Sequence, residues 1–344
     1  MPGGLFELRK DSVTGWWVAV VVDREFQKER FYRPAQHRGQ STEECANCQY
    51  AAADEVRLRM LKPDAFIVAG TDREKEADGD GRDPSLGLLG ESGSWQTIVA
   101  PRGHHESLAD TTPQIAFEML AHTREVLTFA REQEKTEYLQ VVQNFGRQAG
   151  ALTDHLCLDF YDLPQIPHRV GEELGGAARF VIREGICPFC RLIRDEVANP
   201  ERLVYEDAAS VCFAPYASRS PFELWVVPRH HNADFGTATD SQLVSAADTL
   251  QSVMGLLSSL GGPAYNLILH TAPLRQRVDE TYHWHWEIHP RLREIAGLEL
   301  GTGLPVNPVS PEEATRELLA TAKAEDVDTG VAVGPRSWED FGER

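Results

Sequence analysis

The chain repeats one ordered pattern of sulfur and imidazole, and that pattern constrains the fold more than any other feature. Cys45-Ala-Asn-Cys48 is followed by Ala100-Pro-Arg-Gly-His104-His105 and then by His155-Leu-Cys157-Leu-Asp159. Cys187-Pro-Phe-Cys190 is followed by Val227-Pro-Arg-His230-His231 and then by His283-Trp-His285-Trp-Glu287. Two thiolates and two imidazoles form a tetrahedral zinc set. The expected sets are Cys45, Cys48, His104 and His155, and Cys187, Cys190, His231 and His283. His104 is preferred to His105 because His104-x-x-x-Leu108 mirrors His231-x-x-x-Phe235, and His230 competes with His231. Each half must then bring a CxxC loop, a Pro-Arg turn and a His-headed segment to one point. The second short segment keeps His-x-His, whereas the first reads His-x-Cys.

The periodicity between these motifs repeats as well. Residues 16–22 read as a strand, as do 95–100 and 138–142. Residues 113–134 carry Ile115, Met119, Leu120, Val126, Leu127 and Phe129 at near-helical spacing. In the second half, 223–227 and 265–270 read as strands around a helix over 240–259, and His283 to Ile288 alternates as a further strand. Strand, helix, strand, strand in both halves predicts an α+β fold of two tandem units, with antiparallel sheets and packed helices. The halves are expected at 1–170 and 171–344. Residues 70–94 are acidic, Gly-rich and aperiodic, as an exposed loop would be. Ser310-Pro-Glu-Glu is a helix start, and the last twenty residues read as loosely held.

A length of 344 residues suits two domains. The formal charge of -19 argues against nonspecific nucleic-acid binding, which needs basic surface. No apolar run approaches the ~20 residues of a membrane span. The first residues lack the apolar stretch of a signal peptide, and four of six cysteines stand in CxxC pairs. These observations predict a cytoplasmic protein whose cysteines suit metal binding in a reducing compartment better than a disulfide framework.

Several segments together resemble the galactose-1-phosphate uridylyltransferase family, a duplicated branch of the histidine-triad superfamily. They are Leu8 to Val18, Asn144-Phe-Gly146-Arg-Gln-Ala149-Gly150-Ala151, Phe213 to Glu223, Tyr282 to Leu292, Ala296 to Gly303, and Asn307. The presence of both CxxC pairs is more similar to the sugar-nucleotide phosphorylase members. The resemblance implies covalent nucleotidyl transfer. An imidazole attacks the α-phosphorus of a nucleoside diphosphate sugar, and a second phosphate then takes the nucleotide. The implied partners are a nucleotide sugar or sugar phosphate, and a homodimer is left open. Counted from Asn144, the family's nucleophile position falls on Cys157 and its phosphate-contacting Gln on Asp159.

That departure leaves several readings. Cys157 is a thiolate nucleophile, a packed apolar residue in a silent site, or a metal ligand. His285 is its second-half counterpart and the alternative nucleophile. Asn144, Gly146, Asp159, Phe222, Glu299 and Asn307 are the substrate-binding candidates that the resemblance implies. Arg24, Arg30, Arg33 and Arg147 are candidate phosphate contacts or surface charges. His289 is a partner of the site or a strand-end His. The resemblance also offers an alternative metal set of Glu173, His270, His283 and His285. Trp284 and Trp286 alternate with the histidines and should face the opposite side of the strand, as packing.

Overall fold

The computed structural model describes residues 6–21, 45, 47–48, 51, 56–61, 95–101, 103–132 and 136–331, with only the backbone of Phe6 and of 57–61. The acidic stretch 70–94, Arg24, Arg30, Arg33 and the tail beyond 331 lie outside the described residues. The described strands are β1 (Phe6–Lys10), β2 (Trp17–Val21), β3 (Arg57–Leu61), β4 (Trp95–Val99), β5 (Tyr138–Phe145), β6 (Cys157–Leu163), β7 (Leu203–Glu206), β8 (Ser210–Phe213), β9 (Leu224–Pro228), β10 (Tyr265–His270), β11 (His285–Pro290) and β12 (Val306–Asn307). The helices are α1 (Pro113–Ala130), α2 (His168–Glu184), α3 (Pro188–Ala198), α4 (Asp240–Ser259), α5 (Gly297–Thr302) and α6 (Pro311–Ala324).

Local chemistry explains the helix limits. Thr112, Thr239 and Ser310 cap α1, α4 and α6 by accepting from the third backbone N–H, and Pro113 and Pro311 occupy first helical positions. Gly185 ends α2 at φ 71°, a left-handed conformation that a Cβ disfavours.

Nine strands form one sheet in the order β3-β4-β6-β5-β10-β11-β9-β8-β7. The order is nearly a palindrome of the repeat. β5 and β10 are counterparts and pair antiparallel at its centre, flanked by β6 and β11, then β4 and β9. Asp159 pairs with Val142, and its counterpart Glu287 pairs with Ile268. Val142 and Ile268 then pair with each other. An approximate two-fold axis therefore passes between Val142 and Ile268, and the predicted duplication is realised within one sheet.

One face of this sheet is apolar and lies in the main core with α1, α4 and α6. It carries Ile98, Leu158, Phe160, Leu267, Leu269, Trp284, Trp286 and Ile288. Both tryptophans are fully buried there, on the side expected from alternation. The opposite face carries the polar residues. Over the second half it is covered by α2 and α3 through Val170, Leu174, Phe189, Ile193 and Val197. A small sheet, β1-β2-β12, ties the N-terminal hairpin to the second half, because β12 pairs in parallel with β2. The hairpin turns at Asp11, whose carboxylate accepts from the Val13 and Thr14 amides, and at Gly15, where φ is 80°.

Candidate functional site

The described residues place the first CxxC beside the start of β6. The Cys48 Sγ lies 3.1 Å from His104 Nδ1 and 3.2 Å from His155 Nδ1. One ligand atom from each of Cys45, Cys48, His104 and His155 lies within 4.8 Å of all the others. His155 Nε2 meets the Ala100 carbonyl at 3.0 Å, which fixes a tautomer with Nδ1 free toward the thiols. Burial lowers the pKa of His155 and favours the neutral ring that a ligand needs. His104 adopts φ 52°, whereas His105 turns away to the Asp110 carbonyl at 3.0 Å.

The second set repeats this arrangement. Cys190 Sγ lies 3.2 Å from His231 Nδ1 and 3.7 Å from His283 Nδ1. His283 Nε2 meets the Pro228 carbonyl at 2.9 Å, and His231 Nε2 meets the Asp279 carbonyl at 2.5 Å. Cys187 completes the group, with all four ligand atoms within 4.8 Å. His230 is not among them. The alternative set is not assembled as written: Glu173, His270 and His285 converge, but His283 points its Nδ1 at Cys190 instead. These donor sets fit a divalent ion that favours sulfur and nitrogen in a tetrahedron.

The polar face of the sheet continues from these sets, and the two halves differ there. In the first half β6 presents Cys157, Asp159 and Tyr161, all partly exposed, beside Thr97 and Trp95 of β4. Trp95 Nε1 donates to Asp159 Oδ1 at 3.1 Å, and the Trp95 ring stacks on Tyr161 with centroids 5.8 Å apart. Burial, and then the Asp159 charge, push the Cys157 thiol far above its ordinary pKa, so it is protonated near neutral pH. Burial also raises the Asp159 carboxyl. At the end of β5, Gly146 takes φ 78° as the chain turns, and Asn144 Oδ1 accepts from Asn266 Nδ2 at 2.6 Å. Arg147 is exposed at that turn.

In the second half the same face is closed. His285 is fully buried, with Trp225 at 4.8 Å on one side and His270 at 4.9 Å on the other, both stacked. Its Nδ1 meets the His283 carbonyl at 3.0 Å. No face of this ring is open to a ligand. Glu287, the counterpart of Asp159, is also fully buried. It accepts from Arg169 at 2.6 Å, Arg219 at 2.9 Å and His289 Nε2 at 2.9 Å, with His270 Nε2 at 3.3 Å. Burial disfavours its charge, but Arg219 and His270 hold it well below the ordinary carboxylate range. Burial would likewise lower the pKa of His270, yet Glu173 and Glu287 raise it to about 10. Sequence reasoning missed Glu287, Arg169 and Arg219. The available signal was the polar alternation His285, Glu287, His289 on a strand whose other face is tryptophan.

The remaining candidates are spread apart. Phe222 is buried at φ 58°. Asn307 is fully buried, and its amide donates to the Ser218 and Ser220 carbonyls at 3.1 and 3.2 Å. These two residues hold the 218–222 turn from inside the fold. Glu299 pairs with Arg293 and accepts from the Ala296 amide at 2.7 Å, at the start of α5.

No family model matches the chain. The chain is 26% identical over 333 residues to the ADP-glucose phosphorylase of Arabidopsis thaliana, covering 90% of this chain and 91% of that protein. It is 27% identical over 194 residues to the galactose-1-phosphate uridylyltransferase of Thermotoga maritima, covering 54% of this chain and 60% of that protein. The structure superposes on a crystal structure of the Arabidopsis phosphorylase with bound ADP-glucose at a TM-score of 0.72. That match covers 91% of this chain and 98% of that one at 24% identity. The chain is thus similar, along most of its length, to galactose-1-phosphate uridylyltransferase-like proteins. A uridylyltransferase structure matches at a TM-score of 0.70 over 92% of this chain, at 24% identity. The duplicated sheet is thus the fold that these proteins share.

Proposed function

We propose that the chain binds a nucleoside diphosphate sugar on the partly open face of its first half and belongs to the transferase or phosphorylase type of nucleotidyl-transfer enzyme. The observation that carries this reading is the 333-residue match to an ADP-glucose phosphorylase, which runs through both halves. In this reading Cys157 is the nucleophile. Its proton would pass to the Asp159 carboxylate as sulfur bonds to the α-phosphorus and the sugar phosphate departs. A phosphate, free or on a sugar, would then attack the nucleotidyl-thiol and release the sulfur. Two zinc ions on the Cys45 and Cys187 sets would hold the two His-headed strands, and no chemical step passes through them. Free thiols at all six cysteines favour a cytoplasmic setting. Among the described residues, no helix is long and apolar enough to cross a membrane.

The high pKa of Cys157 favours a second reading, in which the first half binds a nucleotide sugar without breaking it. Intact-mass analysis after incubation with ADP-glucose and UDP-glucose separates the two. A nucleotidyl adduct that disappears in Cys157→Ala supports transfer, and an adduct that persists in Cys157→Ala and vanishes in His285→Ala would relocate the chemistry. Saturable binding without an adduct supports the silent reading, and absence of both binding and adduct refutes the proposal.

A further inference from the structure

We propose that the cavity between the β1–β2 turn and helix α2 is a separate binding site for a phosphorylated small molecule. The cavity holds about 450 Å³ and is lined by Lys10, Ser12, Thr14, Arg179, Phe180 and Arg183, among others. That volume falls in the range of small-molecule sites. On a chain of net charge -19, three cations converge there.

Their pairing leaves charge for a ligand. No hydrogen bond or ion pair engages the side chain of Arg179 or Lys10 among the described residues; the Lys10 ammonium stands 5.7 Å from the Trp17 ring centroid. Arg183 lies over the Phe180 ring at 5.5 Å and donates to Glu184 at 2.7 Å. Asp11 is the one carboxylate in the lining. It spends Oδ1 on the amides of Val13 and Thr14 and on the Thr14 hydroxyl, within its own turn. Guanidinium groups beside the Ser12 hydroxyl suit a phosphate, which accepts several charge-assisted hydrogen bonds. The Phe180 ring and Val13 offer an apolar wall for an organic remainder.

The cavity is also preformed. Gly176 on α2 lies so close to the turn that a Cβ there would stand 1.8 Å from the Val13 carbonyl oxygen. Only glycine allows this approach. The site lies on the outer side of α2, so it does not share residues with the Cys157 face.

The test is calorimetric titration of the full chain with inorganic phosphate, with a hexose 1-phosphate and with the uncharged hexose. Saturable binding of the phosphorylated probes and none of the hexose is expected, and the two phosphorylated arms distinguish free phosphate from a phosphomonoester as the natural ligand. Arg179→Glu with Arg183→Glu should weaken binding by about tenfold or more, since each lost charge-assisted contact is worth roughly a factor of ten. Both residues are exposed, so folding should persist, and Arg179→Ala alone provides a milder variant. Nucleoside diphosphate binding at the first-half face should survive the double substitution. Phosphate binding that is unchanged in the double variant, or no saturation at millimolar phosphate, overturns the proposal. Absence of nucleotide-sugar binding in the unsubstituted chain, together with phosphate binding that the double substitution weakens, would count against the reading of the first-half face alone.

Discussion

The two halves of the sheet present the same face to different surroundings. In both, a CxxC set grips the His that heads the strand, and the next inward residues alternate along one side. In the second half β11 is buried along its whole length, under α2 and α3, and its carboxylate Glu287 is enclosed by two arginines and two histidines. In the first half β6 stays partly exposed at Cys157, Asp159 and Tyr161, and Asp159 receives a hydrogen bond from Trp95. Duplication supplied two equivalent faces. One of them is covered and has become core, and the other stays partly exposed. A reactive group placed on the closed face would pay for its access with disruption of a charged network.

The largest expected effect tests what the halves share. Cys187→Ser and Cys45→Ser should each abolish one bound zinc, and a site of this type contributes on the order of 10 kcal/mol in small peptides. Elemental analysis and soluble yield measure the outcome. Cys187 and its neighbours Phe189 and Tyr282 lie in the core that closes the second half, so Cys187→Ser should cost more soluble protein than Cys45→Ser. A protein that keeps two zinc ions per chain after either substitution would contradict both ligand sets.

Next comes the ionic network. Glu287→Ala removes the carboxylate shared by Arg169, Arg219 and His270 and leaves them only Glu173 and Glu223, and breaking a buried ion pair from one side costs roughly 3–5 kcal/mol. Denaturant unfolding reads this directly. A loss below about 1 kcal/mol, as for an exposed pair, would mean that the closed face is solvated and less distinct from the open one.

The pH dependence follows from the same network. The folded pKa of His270 is raised to about 10, above the ordinary value for an unfolded chain. A raised histidine contributes stability that is fully present below about 6.5 and declines as pH rises through about 10. Stability should therefore fall between about pH 7 and 10, and His270→Gln should flatten that slope while lowering stability at pH 6. The first-half counterpart of His270 is Asn144, which does not titrate, so Asn144→Ala should leave the slope intact. An unchanged slope in His270→Gln would remove the imidazolium from the account.

Much of this was legible in the residues, because metal-ligand spacing and strand alternation are local. The helices at 240–259 and after Ser310 and the strands over 95–100 and 265–270 coincide with the observed elements, and the CxxC and His ligand atoms lie within reach of one another. What was not legible depends on distant contacts. The His283 to Ile288 strand begins at His285, since His283 is held by Cys190 and the Pro228 carbonyl rather than by a neighbouring strand. Strands β7 and β8 are only four residues each and carry weak signals. Nothing near Glu287 announces Arg169 and Arg219, which arrive from 118 and 68 residues away. Burial of His285 likewise follows from α3 and Trp225, which no pattern around His285 encodes.

The smallest effect is the most direct test of the difference. Asp159→Asn should be nearly neutral, within about 1 kcal/mol, because no cation among the described residues pairs with this carboxylate and a single neutral hydrogen bond from Trp95 survives in the amide. The sign should favour the variant. Burial raises the folded pKa of Asp159 above its ordinary value, so charging this carboxyl costs more in the folded chain than in the unfolded one, and Asn carries no such cost. Its effect on ligand is electrostatic as well. A carboxylate beside a diphosphate repels it, so Asp159→Asn should tighten nucleoside diphosphate binding a few-fold at low salt and less at high salt, where a Debye length of ~8 Å at physiological strength screens the pair. Thermal unfolding together with calorimetry at two salt concentrations measures both. If Asp159→Asn instead destabilises the chain as strongly as Glu287→Ala, the first-half carboxylate is clamped like its counterpart, and the contrast between an open face and a closed one fails.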